Sequence, residues 1–330
     1  MSDTAAPATQ SSSETLAQIC KACADVLRVD ILRALRNDSF SVQELCRIFG
    51  VKQSAMSHHL KVLTHAKLVI TRREGNTLFY RRRLWAHDYP LATLQKSLFD
   101  SIDLCPINEQ VQTGMLEVEA QRMQSSNAFF VENADKFRQQ QDLIAGFEQY
   151  GDSVAAMLAG VALPGKALAV EIGPGEGLFL PELARRFEKV AAFDTSSMML
   201  LHSESQLRKH KLGNVRLFLG DTRKAVKHGF KADCVVINMV LHHVSTPADV
   251  FNNVAALLKP GGILLVTDLC HHDQSWAREA CGDIWLGFEP EDFSHWAQEA
   301  GLFEGQSGFL AQRNGFRIQI RHFYKPEDKQ

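Results

Sequence analysis

The segment Ala169-Val-Glu171-Ile-Gly173-Pro174-Gly175-Glu176-Gly177 constrains this chain more than any other. An apolar run ends in an acid, and glycines follow at alternate positions. A second apolar run, Val190-Ala-Ala-Phe-Asp194, closes on another acid. Together they spell strand, glycine-rich turn, helix, strand, with Asp194 placed to hold a ribose. Glycines belong in such a turn because it is tight and because a Cβ would keep the backbone away from a ligand. The spacing also separates one nucleotide class from another. A dinucleotide fingerprint needs Gly-x-Gly-x-x-Gly, and its third glycine would fall on Leu178.

Four further segments extend the pattern in order. Gly220-Asp221-Thr222 follows the strand-like Val215-Arg-Leu-Phe-Leu219. Ala232-Asp-Cys-Val-Val-Ile-Asn238 reads as a buried parallel strand opening onto Met239-Val-Leu-His242-His243. Ala255-Ala-Leu-Leu-Lys-Pro260-Gly261-Gly262 ends a helix with a Pro-Gly turn, and Ile263-Leu-Leu-Val-Thr-Asp268 follows. Glu-x-Gly-x-Gly-x-Gly with this sequel resembles the class I S-adenosylmethionine methyltransferases over about residues 110–305, most closely the ubiquinone-biosynthesis-type branch with its small-molecule acceptors. The resemblance implies an α/β, Rossmann-like domain with a mostly parallel sheet. It implies S-adenosylmethionine or S-adenosylhomocysteine as ligand, held by Glu171, Gly173, Gly175, Gly177, Asp194, Thr195, Asp221, Thr222 and Asn238. Asp194 would accept from the ribose hydroxyls and Asp221 from the adenine amino group.

At 330 residues two domains are expected, and 45% hydrophobic with 22% charged residues is a globular composition. No apolar run reaches the length of a membrane span, and no signal peptide is visible. Seven scattered cysteines suggest free thiols in a reducing cytoplasm. The formal charge of −2 hides an asymmetry: residues 1–90 hold 13 Lys and Arg against 8 Asp and Glu. A basic first third ahead of an acidic body suits nucleic-acid binding by that third alone.

That third has its own pattern. Leu16, Ile19, Cys20, Cys23, Val26, Leu27, Ile31, Leu32 and Leu35 fall at helical spacing over residues 15–36. Ser41 and Glu44 form a capping-box pattern for a helix over 42–48, which Gly50 ends. Residues 53–63 then read as the second helix of a helix-turn-helix. Met56, Leu60 and Leu63 share one face, while Gln53, Ser54, Ser57, His58 and Lys61 lie mostly elsewhere, suited to base edges and phosphates. Leu68–Arg73 and Leu78–Arg83 flank Glu74-Gly75-Asn76-Thr77 as a hairpin with arginines near its tip. The run Ser54-x-x-Ser57-x-His59-Leu60-x-x-Leu63 through Arg73-Glu-Gly75 and Tyr80 resembles the ArsR family of small dimeric repressors, over about residues 15–85. The resemblance implies an N-terminal winged helix-turn-helix (α+β) and a homodimer on a palindromic operator in double-stranded DNA. Gln53, Ser54, Ser57, His58, His59 and Lys61 would enter the major groove, and Arg72, Arg73, Asn76 and Arg81 would belong to the wing. A winged helix used for protein contact alone is the alternative. Family members often carry Cys-x-Cys before the recognition helix, whereas this chain has only Cys46 there. Cys20, Cys23 and Cys46 could make a three-thiolate site, or be small residues of the core.

These readings divide the chain into a disordered tail (1–13), a winged helix (14–85), a helical linker (86–140) and a ligand-binding domain (141–330). In the linker, Leu91–Leu104 and Glu109–Ser126 read as helices, the second extending a dimer interface or serving as a lever arm. Phe129-Phe130-x-x-x-Ala134-Asp-Lys-Phe137 reads either as a lid or as an amphipathic helix on the sheet. His242, His243 and His272 follow strands that end at the ligand side, and are candidate general bases or pocket walls. A metal site is the alternative there, and no metal ligand is assigned. Trp285, Phe288 and Trp296 could line an acceptor pocket or only a core. No Asn-Pro-Pro-Tyr type motif and no Pro-Cys pair exists, so methylation of the bound DNA is not expected. Three functions stay open: a regulator sensing its adenosyl ligand, a small-molecule methyltransferase with its own DNA-binding domain, and a thiol- or metal-responsive repressor.

Overall fold

A computed structural model describes residues 12–85, 88–133 and 137–327. The chain divides into two compact units, residues 1–120 and 121–330.

The first unit begins with α1 (Ser12–Cys23) and α2 (Val26–Ala34). The periodicity of residues 15–36 suggests one helix, but Asp25 breaks it. Its carboxylate accepts from Arg28 N at 3.0 Å as an N-cap, and Val26 turns out to solvent. β1 (Phe40–Ser41) leads into α3 (Val42–Phe49), whose capping box is complete. Ser41 N donates to Glu44 Oε2 (2.7 Å) and Glu44 N donates to Ser41 Oγ (3.3 Å). α4 (Gln53–His65) is followed by the antiparallel hairpin of β2 (Val69–Glu74) and β3 (Thr77–Arg82), turning on Gly75-Asn76. α5 (Ala92–Leu104) comes next, then the long α6 (Glu109–Asn133), within which the division between units falls. Ile31, Leu32, Leu45, Met56, Leu60, Leu63 and Phe99 form the core of this unit. Arg82, at the end of β3, is buried. It donates to Leu32 O at 2.6 Å and grips Asp103 through both terminal nitrogens.

In the second unit, α7 (Phe137–Ala145) and α8 (Phe147–Gly160) precede the sheet. Its strands are β4 (Leu168–Ile172), β5 (Lys189–Asp194), β6 (Val215–Leu219), β7 (Ala232–Asn238), β8 (Leu258–Leu269), β9 (Phe303–Ala311) and β10 (Arg317–Tyr324). The spatial order is β6-β5-β4-β7-β8-β10-β9, parallel through β8, with β10 and β9 antiparallel. Alternation is lost in β4, β5 and β7, whose residues are mostly apolar and nearly all buried, as a sheet covered on both faces requires. From β4 the chain first adds strands on one side and then resumes on the other with β7. The carboxyl ends of β4, β5 and β7 therefore border a topological switch point, where open α/β sheets bind ligands. The supporting helices are α9 (Leu180–Arg186), α10 (Ser197–His210), α11 (Thr222–Lys227), α12 (Pro247–Leu257), α13 (Trp276–Cys281) and α14 (Pro290–Glu299). The lid expected over 129–137 includes residues 134–136, and the expected tail includes residues 1–11; both stretches lie outside the described residues.

Candidate functional site

The turn after β4 is shaped by glycines. Gly173, Gly175 and Gly177 all have positive φ, at 65°, 54° and 77°. At Gly173 a Cβ would stand 2.5 Å from Val240 Cγ2, so the turn closes directly against the loop after β7. At Gly175 a Cβ would meet nothing within 4 Å: this face of the turn is open. Its peptide is fixed from both ends. Ser203 Oγ donates to Gly175 O at 2.8 Å, and Gly175 N donates weakly, at 3.4 Å, to Asp194 Oδ2. Asp194 Oδ1 accepts from Ser196 N at 2.8 Å. Burial pushes Asp194 up to about 6, against the lowering effect of those backbone donors.

Glu171 ends β4 beneath the turn. It is fully buried, and burial pushes it up to about 8 although the Asn238 amide works the other way. Its Oε2 and Asn238 Oδ1 have no hydrogen-bond partner within the protein. Buried polar atoms in that state cost roughly 1–3 kcal/mol each unless something else satisfies them. The residue after Asn238, Met239, has φ 54°, a left-handed conformation uncommon outside glycine. Strain of this kind collects at functional sites. Two orphaned polar groups, a carboxylate at a strand end and an open glycine turn fit a polar ligand carrying a diol and a cationic amino acid end.

The third acid is less simple. Asp221 caps α11, accepting from Lys224 N at 3.1 Å through Oδ1, while Oδ2 takes Arg223 Nε at 2.7 Å. Thr222 is buried and its hydroxyl accepts from Asn253 Nδ2 at 3.0 Å, tying α11 to α12. Thr195 is exposed beside Asp194. Asp221 and Thr222 thus have structural duties that their sequence context did not disclose.

The histidines after β7 and β8 separate. His242 is completely buried. Its Nδ1–H donates to Asp268 Oδ1 at 2.6 Å, and its Nε2 stands 3.9 Å from Asp283 Oδ1. Burial opposes its charge, but the two carboxylates outweigh it and raise His242 to about 9. The two carboxylates favour its protonated form, which is the form least suited to the general-base role that the sequence offered as one alternative. His243 lies 4.0 Å from it, ring to ring. Burial and the neighbouring His242 hold His243 well below the usual imidazole range. Its Nδ1–H donates to Gly282 O at 3.3 Å, and Gln141 Nε2 donates to its Nε2 at 3.4 Å. The segment around Asp283 is strapped to this loop: Ile284 N and Trp285 N both donate to His242 O. His272 is not in the cluster. Its ring packs edge-on against Phe316, 4.6 Å between centroids. Asp283 was missed by the sequence reading because nothing around Cys281-Gly-Asp283 marks it; only the fold brings it to His242. Phe288 and Trp296 join Phe251 and Phe293 in an aromatic core, and Trp285 donates to Val244 O at 2.8 Å, so these residues read as core.

In the first unit, Gln53, Ser54, Ser57, His58 and Lys61 are exposed on α4 while Met56, Leu60 and Leu63 are buried beneath. Arg73 and Asn76 are exposed on the wing and Arg81 is half-buried. Two expected contacts turn inward. His59 Nδ1 is 3.7 Å from Asp25 Oδ1, and Arg72 pairs with the buried Glu74. Asp25 is also paired with Arg28, whereas Glu74 is completely buried. Cys20 is exposed rather than packed in the core, Cys23 and Cys46 are half-buried, and the three make no metal-ligating group among the described residues.

Comparison with known proteins agrees with this division. The profile of the family described as methyltransferase domain matches residues 138–305, and that of bacterial regulatory protein, arsR family, matches residues 25–71. The HTH-type transcriptional regulator KmtR of Mycobacterium tuberculosis is 41% identical over 64 residues, 19% of this chain and 49% of that protein. A probable cobalt-precorrin-6B C(15)-methyltransferase (decarboxylating) of Methanothermobacter thermautotrophicus is 32% identical over 138 residues, 41% of this chain and 69% of that protein. The chain spans about half the length of the regulator, and 6% of a polyketide synthase-nonribosomal peptide synthetase of Aspergillus clavatus that is 28% identical over 256 residues. Among solved structures, magnesium protoporphyrin IX methyltransferase from Synechocystis PCC 6803 with bound SAH shares the fold, with a TM-score of 0.51 and 19% identity over 62% of this chain and 99% of that one. The chain belongs to the methyltransferase domain family and carries an arsR-family helix-turn-helix ahead of that domain.

Proposed function

We propose that the protein is a DNA-binding transcriptional regulator whose second unit binds S-adenosylmethionine (SAM) or S-adenosylhomocysteine (SAH). The observation that carries this reading is the open glycine turn facing Asp194 above the unpartnered Glu171 Oε2 and Asn238 Oδ1. Asp194 takes the ribose hydroxyls. Glu171 and Asn238 receive the amino acid end through the turn of Gly173, Gly175 and Gly177. Thr195, Asp221 and Thr222 border the adenine, Asp221 sharing its oxygens with its cap. Bound SAM supplies an electrophilic methyl group on a sulfonium.

In the first unit, Gln53, Ser54, Ser57, His58 and Lys61 read base edges and phosphates of double-stranded DNA, with Arg73, Asn76 and Arg81 on the flanking backbone. Exposed leucines on α1, α5 and α6 (Leu16, Leu94, Leu104 and Leu116) supply apolar surface for a homodimer on a palindromic operator. The cell compartment is the cytoplasm. A ligand regulates DNA binding only if its affinity differs between two states of the dimer. Fluorescence anisotropy on the protein's own upstream DNA, at fixed salt, with no ligand, SAM or SAH, measures that difference. A shift of threefold or more in Kd with either ligand is expected, and identical Kd values at saturation exclude the sensor.

The second reading is methyl transfer to a small acceptor, favoured by one observation: His243 is a neutral imidazole beside the carboxyl end of β7. Release of SAH from SAM in an acceptor screen supports it. Turnover that survives His243→Ala unchanged removes His243 from that role.

A further inference from the structure

We propose that the His242 and His243 imidazoles and the Asp283 carboxylate form a binding site for one divalent first-row transition metal ion of the zinc class. One ligand atom from each residue falls within 4.8 Å of the other two. The measured separations are 3.9 Å from His242 Nε2 to Asp283 Oδ1 and 3.7 Å from His243 Nδ1 to the same oxygen. Ligands bound at about 2.0–2.2 Å around a tetrahedral ion stand roughly 3.3 Å apart, so the two histidine–aspartate pairs need to close by only about half an ångström. Two imidazoles and a carboxylate are a borderline donor set, which suits zinc and its neighbours rather than calcium or magnesium.

Three features of the surroundings are those of a metal centre. First, His242 Nδ1–H is taken by Asp268 at 2.6 Å, which leaves Nε2, the atom without a hydrogen-bond partner, directed at Asp283. A carboxylate behind a ligating imidazole is the usual outer-shell partner, fixing the tautomer and raising ligand basicity. Secondly, Asp268 is itself locked, accepting from Leu241 N at 2.8 Å. Thirdly, the donors are buried: the His242 and Asp283 side chains are 0% exposed and that of His243 is 8% exposed. Asp268 and Asp283 bring two buried carboxyl groups to the two imidazoles, a donor set matched to a divalent cation. His243 Nδ1 would give up its bond to Gly282 O and move its proton to Nε2, where the Gln141 amide accepts it after a half-turn. An occupied site makes His243 a ligand rather than a base. The position, after β7 and β8, is on the ligand side of the sheet, and no cysteine takes part.

The test uses the full chain, freed of metal by chelation and titrated with Zn²⁺ by calorimetry and with Co²⁺ by visible absorption. One ion per chain is expected, with Co²⁺ ligand-field bands and no sulfur-to-metal charge-transfer band. Asp283→Asn and His243→Gln should each weaken Zn²⁺ binding at least 100-fold, and Asp268→Asn about 10–100-fold as an outer-shell loss. Cys20→Ser with Cys46→Ser should change nothing. X-ray absorption of the wild-type zinc form, which needs no variant to fold, should show nitrogen and oxygen ligands including two imidazoles. Sulfur ligation, failure of the folded wild-type protein to bind Zn²⁺, or unaltered affinity in a folded Asp283→Asn overturns the proposal.

Discussion

SAM affinity should depend steeply on pH because of Glu171. The ligand-free carboxyl is held at about 8 by burial, so at neutral pH it carries a proton. A ligand that brings an ammonium and a sulfonium favours the carboxylate, and binding must then release that proton. The sign follows: affinity rises as pH rises toward 8 and falls as pH drops. Between pH 6 and pH 7 the ionised fraction of Glu171 goes from about 1% to about 10%, a tenfold change, while Asp194, at about 6, contributes about twofold. The product is about 20-fold, or about 1.8 kcal/mol at 1.36 kcal/mol per decade. The ligand's own ammonium, titrating near 8, stays charged throughout this window. Calorimetry in two buffers of different ionisation enthalpy reads both the affinity and the proton released. Glu171→Gln keeps the shape and removes the titration, so only the twofold dependence should remain. A wild-type change under threefold, or equal steepness in Glu171→Gln, refutes the reasoning. The same group should make the ligand-free fold less stable as pH climbs from about 4.5 to about 8, since only the unfolded chain ionises freely there.

Asp194→Ala should weaken SAH binding by about 2–3 kcal/mol in a calorimetric titration, through lost charge-assisted hydrogen bonds, without unfolding the protein. Gly173→Ala forces a Cβ to 2.5 Å from Val240 Cγ2 at a φ of 65°; it should lower Tm and abolish SAH binding together. Lys61→Ala and Arg73→Ala should each reduce the slope of log affinity for DNA against log salt by about one, whereas Arg72→Ala should leave the slope unchanged and cost stability in a thermal melt. Ser41→Ala, by removing the cap of α3, should destabilise the first unit by about 1 kcal/mol in urea denaturation.

Much of this molecule was legible in its sequence because the decisive signals were local. The capping box of Ser41 and Glu44, the two-residue turn at Gly75-Asn76 and the strand ends at Asp194 and Asn238 each depend on residues within a few positions of one another. The split of residues 15–36 was hidden because the apolar period continues across Asp25, and only its cap at Arg28 N shows the break. The inward turn of Arg72 depends on the burial of Glu74, and that of His59 on Asp25, 34 positions earlier in the chain; a sequence reveals neither. The histidine cluster shows the same limit. His242-His243 was visible as a pair, but His242 is shifted up by Asp268 and Asp283, which lie 26 and 41 residues further along the chain, while burial and His242 itself hold His243 down.

Met239 suggests something about engineering this protein. At φ 54° a glycine would relieve backbone strain of order 1 kcal/mol. Yet the Met239 side chain is part of the packed interior, 7% exposed, at the foot of the loop that Gly173 touches through Val240. Deleting a buried methionine costs about 2–5 kcal/mol, and a glycine gives the unfolded chain more freedom, so Met239→Gly should melt at a lower temperature despite the relieved strain. A search for heat resistance will therefore keep this methionine, and with it a defined wall beside the ligand.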